Sequence, residues 1–217
     1  MSIILPKDHA AWIKERMHGI GASDAAAILG MSAWKSNLQL WEEKTGLREP
    51  EDISWKPQVQ YGKEAEAPIR ALFALDHPEL EVTYESPYKI IRSDAHPFIF
   101  CTPDGELTER DTGRKGGLEI KTTEIMHSRQ WAEWNGRIPD VYYCQVCHQM
   151  YAAEWEYVWL RAHIRWTRDG ERRTDVREYI IERSEVQEDI DALVAATIKF
   201  WNQVQERKPP AMLLPEI

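Results

Sequence analysis

The sequence has little of what would take it out of the ordinary globular class. It holds three cysteines in 217 residues, Cys101, Cys144 and Cys147. An odd count without framework spacing argues against a disulfide-stapled fold and for a reducing compartment. No run reaches the roughly 18 apolar residues that cross a bilayer, so no transmembrane helix is predicted. The start, MSIILPKDHAAW, offers too short an apolar stretch for a secretory leader, and a cytoplasmic protein is expected. There is no internal repeat and no low-complexity tract. Positive charge is not in excess either: 27 Lys and Arg stand against 36 Asp and Glu, a net charge of −9. That argues against a basic coat on nucleic acid. It leaves room for an enzyme that holds cations in an acidic pocket, because a bound divalent ion inverts the local sign.

What is present fits one domain over 1–217. Its parts are N-terminal helices over 1–48, a core over 58–183 and a C-terminal helix with a tail over 184–217. A chain this long buries roughly 70% of its unfolded surface and needs no staple. Punctuation and hydrophobic period predict helices over 8–17, 23–30, 36–45 and 62–75. Ser23 serves as the cap of the second, a Ser36/Gln39 capping box opens the third, and Pro68 lies inside the fourth. Strands follow over 84–92, 98–102 and 117–122, then helices over 128–135 and 141–153. A hairpin, 155–166 with 176–183, turns at 167–170, and a last helix covers 184–205. The segment 49–57 reads as a loop and the tail from Lys208 as irregular. This is an α/β (α+β) chain with a central mixed sheet flanked by helices.

The chemistry concentrates at Pro103–Asp104–Gly105 followed by Glu119–Ile120–Lys121. On a strand, residues two apart share a face, so Glu119 and Lys121 point together while Ile120 points away. If the flanking strands pair as a hairpin, Asp104 arrives beside Glu119. Two adjacent carboxylates persist most easily around a hard cation. A lysine beside them can orient water or neutralise developing phosphate charge. An exposed hairpin with a surface Glu–Lys pair is the plainer reading of the same residues. Upstream, Glu66 on the fourth helix could add a carboxylate or simply pair with Arg70 one turn on. Trp12, Arg16 and Ser23 put a guanidinium next to a helix start, which suits an anion, or they form an ordinary capped helix. Gln145, after Tyr142 and Tyr143, could reach phosphate or water, or sit as a surface amide.

These elements occur in one order: Trp12, Arg16 and Ser23 with GIGASDAAAIL, Gly62-Lys63-x-x-Glu66, Pro103-Asp104-Gly105, Glu119-Ile120-Lys121 and Tyr143-x-Gln145. That order resembles the phage lambda-type alkaline exonucleases, or YqaJ-type viral recombinases, over about Trp12 to Met150. The resemblance implies a PD-(D/E)xK restriction-endonuclease-like core and an Mg²⁺-dependent exonuclease, with two ions and Mn²⁺ as substitute. Such an enzyme digests one strand of duplex DNA from the 5′ end. It further implies a ring-shaped homotrimer on double-stranded DNA ends and a single-strand annealing protein as partner. By the same resemblance, Asp104, Glu119 and the Ile120 carbonyl would hold metal, and Glu66 would serve a second ion. Lys121 would position the attacking water, Arg16 and Ser23 would bind the 5′-phosphate, and Gln145 would line the site. An endonuclease or single-strand nuclease on the same core, and a non-catalytic DNA-end-binding module, remain as alternatives.

Other signals carry less. Cys144–Gln–Val–Cys147–His148 has the spacing of a haem attachment string, but it lies within the Tyr143/Gln145 helix and no export route is expected. Zinc would need a second ligand pair, and an iron–sulfur cluster a fourth cysteine. Gly19-x-Gly21 follows no predicted strand, so it is no dinucleotide fingerprint. Arg161, Arg165, Arg168, Arg172, Arg173, Arg177 and Arg183 crowd the late hairpin among five acids. They read as a solvated face, with a DNA-channel wall as the sharper alternative. Trp131 and Trp134 read as core, with a subunit interface as the alternative.

Overall fold

A computed structural model describes residues 1–213. In chain order the elements are strand β1 (Ser2–Ile4), helix α1 (His9–Arg16), β2 (Ile20–Gly21), a 3-10 turn at Ala22–Asp24, α2 (Ala25–Ile28), α3 (Asn37–Lys44) and α4 (Pro57–Asp76). Then come β3 (Leu80–Thr83), β4 (Ile90–Arg92), β5 (Ile99–Cys101), β6 (Gly105–Glu109), β7 (Lys115–Ile125), α5 (Ser128–Ala132), α6 (Asp140–Ala153), β8 (Tyr157–Arg168), β9 (Glu171–Glu182) and α7 (Gln187–Gln205). No described helix is long and apolar enough to cross a membrane.

Local signals explain most boundaries. The Asp8 side chain accepts from the Ala11 amide and starts α1. Ser36 and Gln39 close the expected capping box on α3. The fourth helix begins five residues earlier than its sequence suggests, because Pro57 takes the first helical position, where a missing N–H costs nothing. The hairpin of β8 and β9 turns at Asp169–Gly170, both in the left-handed region that a two-residue hairpin demands.

Two mixed sheets replace the single central one expected. The larger has the order β3-β6-β7-β8-β9, the smaller β1-β4-β5-β2. Pairing is parallel between β7 and β8 and between β2 and β5. The predicted strand over 84–92 survives only as Ile90–Arg92, since a turn at Ser86–Pro87–Tyr88 interrupts it. No strand is predicted between 98–102 and 117–122, yet Gly105–Glu109 pairs antiparallel with β7. The hairpin partner of β7 is therefore β6, not β5, which lies in the other sheet.

The larger sheet is covered on both faces. Helix α6 sets Cys144, Val146, Cys147 and Met150 against Leu160, Ala162 and Ile164 of β8. Helix α4 sets Ile69 and Phe73 against Leu118, Ile120 and Tyr157. Each buried Val, Leu, Ile, Phe or Met among these contributes about 1.5–3 kcal/mol of transfer energy. Trp134 belongs to the core under α6, and Trp131 meets Trp166 edge-on at 5.0 Å. The late arginines form neither a plain solvated face nor an open wall. Arg161 is buried between Asp76 and Glu178, Arg165 is buried over the Tyr61 ring, and Arg183 and Arg177 bind main-chain carbonyls. Arg168, Arg172 and Arg173 remain exposed.

Candidate active site

The site forms where β7 runs past the end of β6. The two strands pair from Thr108↔Lys115 to Gly105↔Leu118, so the β7 edge is free of β6 from Glu119 onward. Asp104, just before β6, fills that edge: its Oδ2 accepts the Ile120 amide at 2.8 Å. The N–H and C=O of one strand residue point to the same edge, so the Ile120 carbonyl faces the Asp104 side as well. The Ile120 side chain lies in the core against α4.

Glu119 and Lys121 point to the α6 face. Glu119 is 2% exposed and ionically paired with Lys121 at 2.5 Å. Gln145 Nε2 donates to Glu119 Oε1 at 2.7 Å, Gln149 Nε2 donates to its Oε2, and Lys121 Nζ donates to Gln145 Oε1 at 3.0 Å. From the opposite face, α4 supplies Glu66, which accepts from Arg70 at 2.5 Å. The same arginine donates to the Asp104 carbonyl and lies 3.4 Å from the centre of the Tyr84 ring. Glu66 does pair with Arg70 one turn on, but the pair lines the site rather than a solvated face, and the arginine ties α4 to Asp104.

The electrostatics mark a place short of positive charge. Burial, then the Glu119 and Glu66 charges, push the Asp104 carboxyl well above its usual range despite Lys121 nearby. Burial together with Glu119 lifts Glu66 too, against the pull of Arg70. Burial alone would lower Lys121, but Glu119 and Asp104 outweigh it and hold the ammonium above the ordinary lysine value.

A cavity of about 570 Å³ opens over these groups, lined among others by Trp12, Arg16, Ser23, Glu66, Arg70, Thr102, Asp104 and Gln145. Arg16 Nη2 donates to Ser23 Oγ at 3.0 Å, and the guanidinium sits 4.7 Å from the Trp12 ring centre. Gly21 makes room for it, since a Cβ there would stand 3.2 Å from the Arg16 nitrogens. Ser23 is not the helix cap its sequence suggests. It lies inside the 3-10 turn, while Asp24 takes the capping role by accepting the Gly21 amide at 3.3 Å. The serine hydroxyl is left facing Arg16.

The candidate residues thus come together from six segments: Arg16 at the end of α1 and Ser23 in the 3-10 turn on one wall, Glu66 on α4, Asp104 before β6, Glu119 and Lys121 on β7, Gln145 on α6. Glu119 and Lys121 lie beneath Gln145, which bonds both. Sequence reasoning passed over Gln149, although it stands one helical turn after Gln145 on the same face. It also passed over Thr102, which accepts the Trp12 indole N–H at 3.2 Å and had no spacing to flag it.

For a metal, the donor set fits in kind. Carboxylate and main-chain oxygens are the ligands of hard divalent ions, and the Asp104 carboxyl, raised by burial and then by the Glu119 and Glu66 charges, is one that a bound cation would favour in its ionised form. Among the described residues, no three Asp, Glu, His or Cys side chains stand as a closed metal cluster. Arg70, Gln145 and Gln149 occupy carboxylate oxygens instead. The Cys144/Cys147/His148 string is no such site: its side chains are buried, and His148 meets the Ile20 carbonyl at 3.1 Å.

Comparison with known proteins agrees with this architecture. A relative, the uncharacterized protein YqaJ of Bacillus subtilis (strain 168), is 30% identical over 191 residues, which is 88% of this chain and 54% of that protein. The chain therefore spans about half the length of that relative. The fold is similar to the alkaline exonuclease LHK-Exo of Laribacter hongkongensis, with a TM-score of 0.63 at 19% identity over 92% of this chain and 96% of that one. It is also similar to a phage related exonuclease from Haemophilus somnus 129PT, with a TM-score of 0.57 at 15% identity over 87% and 96%. At these identities the structural likeness speaks for the fold, which is the restriction-endonuclease-like architecture expected. Residues 11–156, most of the chain and all of the candidate site, match the model of the YqaJ-like viral recombinase domain, and the chain belongs to that family.

Proposed function

We propose that this chain is a metal-dependent DNA nuclease that removes nucleotides from the 5′ end of one strand of a duplex, resecting ends for recombination by single-strand annealing. One observation carries the reading. The Arg16–Ser23 anion site and the Glu66 and Asp104 carboxylates line the same cavity, with Gln145 on the same wall. A terminal phosphate held at Arg16 and Ser23 brings its own strand, and no other part of the duplex, into the carboxylate site. The Laribacter relative is described as an alkaline exonuclease and has been solved with dAMP, a mononucleotide of the class such a reaction releases.

Glu66, Asp104, Glu119 and the Ile120 carbonyl would hold Mg²⁺, two ions at full occupancy and Mn²⁺ in its place. When bound, such ions ionise water at neutral pH and neutralise the leaving oxygen. The rest is the work of the chain. Lys121, fixed by Glu119 and Gln145, orients the attacking water and meets the charge that develops on the phosphate. Gln145 and Gln149 hold Glu119 in place from α6. Arg16 offers a two-pronged guanidinium and Ser23 a hydroxyl, so the protein reads a phosphate end rather than a base sequence. Double-stranded DNA ends, a homotrimeric ring and an annealing protein complete the proposal as its partners.

Site variants test it. Asp104→Ala, Glu119→Ala and Lys121→Ala are each expected to lower cleavage of linear duplex by about 10²-fold or more, with the circular dichroism of the parent. Chelation by EDTA is expected to stop the parent enzyme. A folded variant that cuts near the parental rate, or cleavage that survives EDTA, contradicts the assignment.

A further inference from the structure

Behind the Arg16–Ser23 wall lies a buried ion pair that does not itself line the cavity. Lys44, the last residue of α3, is 6% exposed at its side chain, and Asp24 is 9% exposed. Their charges stand 3.1 Å apart. A lysine at a helix C-terminus ordinarily complements the helix dipole from solvent. This one turns inward and donates to the Arg16 carbonyl at 2.9 Å. Its partner Asp24 accepts the Gly21 amide and so sets the turn that carries Ser23. One ammonium therefore fixes both halves of the anion site: the main chain at the end of α1, from which Arg16 projects, and the turn that presents the serine.

Burying two charges is expensive, and an apolar pair of the same shape would often stabilise a fold as well or better. A pair held at that cost, bonded to the backbone of two ligand-bearing segments, acts through orientation. Asp24 is kept ionised there. Burial raises its carboxyl, but Lys44, then Arg16 and Lys35, outweigh burial and hold it below the usual carboxylate range.

We infer that Lys44 and Asp24 are positioning residues for 5′-phosphate recognition, setting the Arg16 guanidinium and the Ser23 hydroxyl at the spacing that accepts a phosphate. The inference rests on the reading of Arg16 and Ser23 as the end-binding site, and the test separates the two. Parent, Lys44→Met, Lys44→Arg and Arg16→Ala proteins are assayed on duplexes with 5′-phosphate and 5′-hydroxyl ends, by steady-state cleavage and by anisotropy with EDTA present. Lys44→Met is expected to shrink the preference for phosphate about tenfold, the worth of one charge-assisted hydrogen bond, with the loss in KM and in affinity rather than in kcat. Lys44→Arg, which keeps a buried donor cation, is expected to restore most of it. If Lys44→Met does not fold, Asp24→Asn carries the same test, since it keeps an acceptor for the Gly21 amide and loses the charge. A folded Lys44→Met or Asp24→Asn protein with parental phosphate preference, while Arg16→Ala loses it, overturns the inference alone. A parent that cuts both ends equally, with Arg16→Ala unchanged, overturns the end-binding reading and this inference with it.

Discussion

Asp104 sits where function and stability pull apart. Its carboxyl accepts the Ile120 amide, yet burial, and then the charges of Glu119 and Glu66, raise its proton affinity well above that of an ordinary aspartate. A carboxyl whose folded value is raised destabilises the fold at every pH above its unfolded value of about 3.9. Asp104→Asn keeps an acceptor for the amide and removes the charge. Without metal, that variant is expected to melt about 2–4 °C above the parent, the shift that roughly 1 kcal/mol makes in a chain of this size, while cleavage is lost. Differential scanning calorimetry in EDTA reads the first and nuclease assay the second. A lower melting temperature would contradict a destabilising Asp104 charge, whether from burial or from its carboxylate neighbours. Glu119–Ile120–Lys121 was legible in the sequence because strand alternation alone places Glu119 and Lys121 on one face. Ser23 was misread as a cap because the helical turn starts earlier, at Ala22 after Gly21, with Asp24 reaching back to the Gly21 amide.

Among the elements, α6 does two jobs: one face fills the core over β8, and the other holds Glu119 through Gln145 and Gln149. Between them lies His148, fully enclosed, its ring at the Ile20 carbonyl beside the strand that leads to Ser23. Burial pushes its imidazole down to about 4. The ring is therefore neutral in the fold, and the unfolded chain binds the proton more readily. Its contribution is fully present above the unfolded value near 6.5 and is lost as pH falls from there through about 4. The expected loss is about 2 kcal/mol between pH 7.5 and pH 5, and urea denaturation at the two pH values measures it. His148→Gln is expected to flatten that dependence, and an unchanged slope would show that other groups carry it. At this scale the helices were readable and the short strands were not. Helices α1 and α3 announce themselves by their caps, α6 and α7 by period alone. Strand β6, GELTE, has one large apolar residue, Leu107, so its alternation is one position deep. Strand β2 has two residues and is defined only by its parallel pairing with β5, a partner nearly eighty residues away.

At the scale of the whole molecule, an acidic chain with a net charge of −9 is asked to hold a polyanion. The arrangement that reconciles these is local. Positive groups at the cavity, Arg16, Lys63 and Arg70, share its lining with the carboxylates. Cations at the carboxylates would extend that positive patch to the reacting phosphodiester. The family and the fold class were readable from five short motifs in order: four put residues in the cavity lining, and Glu119–Ile120–Lys121 lies beneath Gln145 of that lining. The division into two sheets was not, because which strand pairs with β7 depends on tertiary packing rather than on either strand's own residues. The most direct test of the account is digestion of linear duplex DNA, labelled at one 5′ end, in Mg²⁺ beside a covalently closed circle of the same sequence. Loss of the linear substrate alone, with labelled mononucleotide released and the complementary strand left intact when its own 5′ end is blocked, is the result predicted. Cutting of the circle, or no cleavage of either substrate in Mg²⁺ or Mn²⁺, would contradict an end-reading exonuclease.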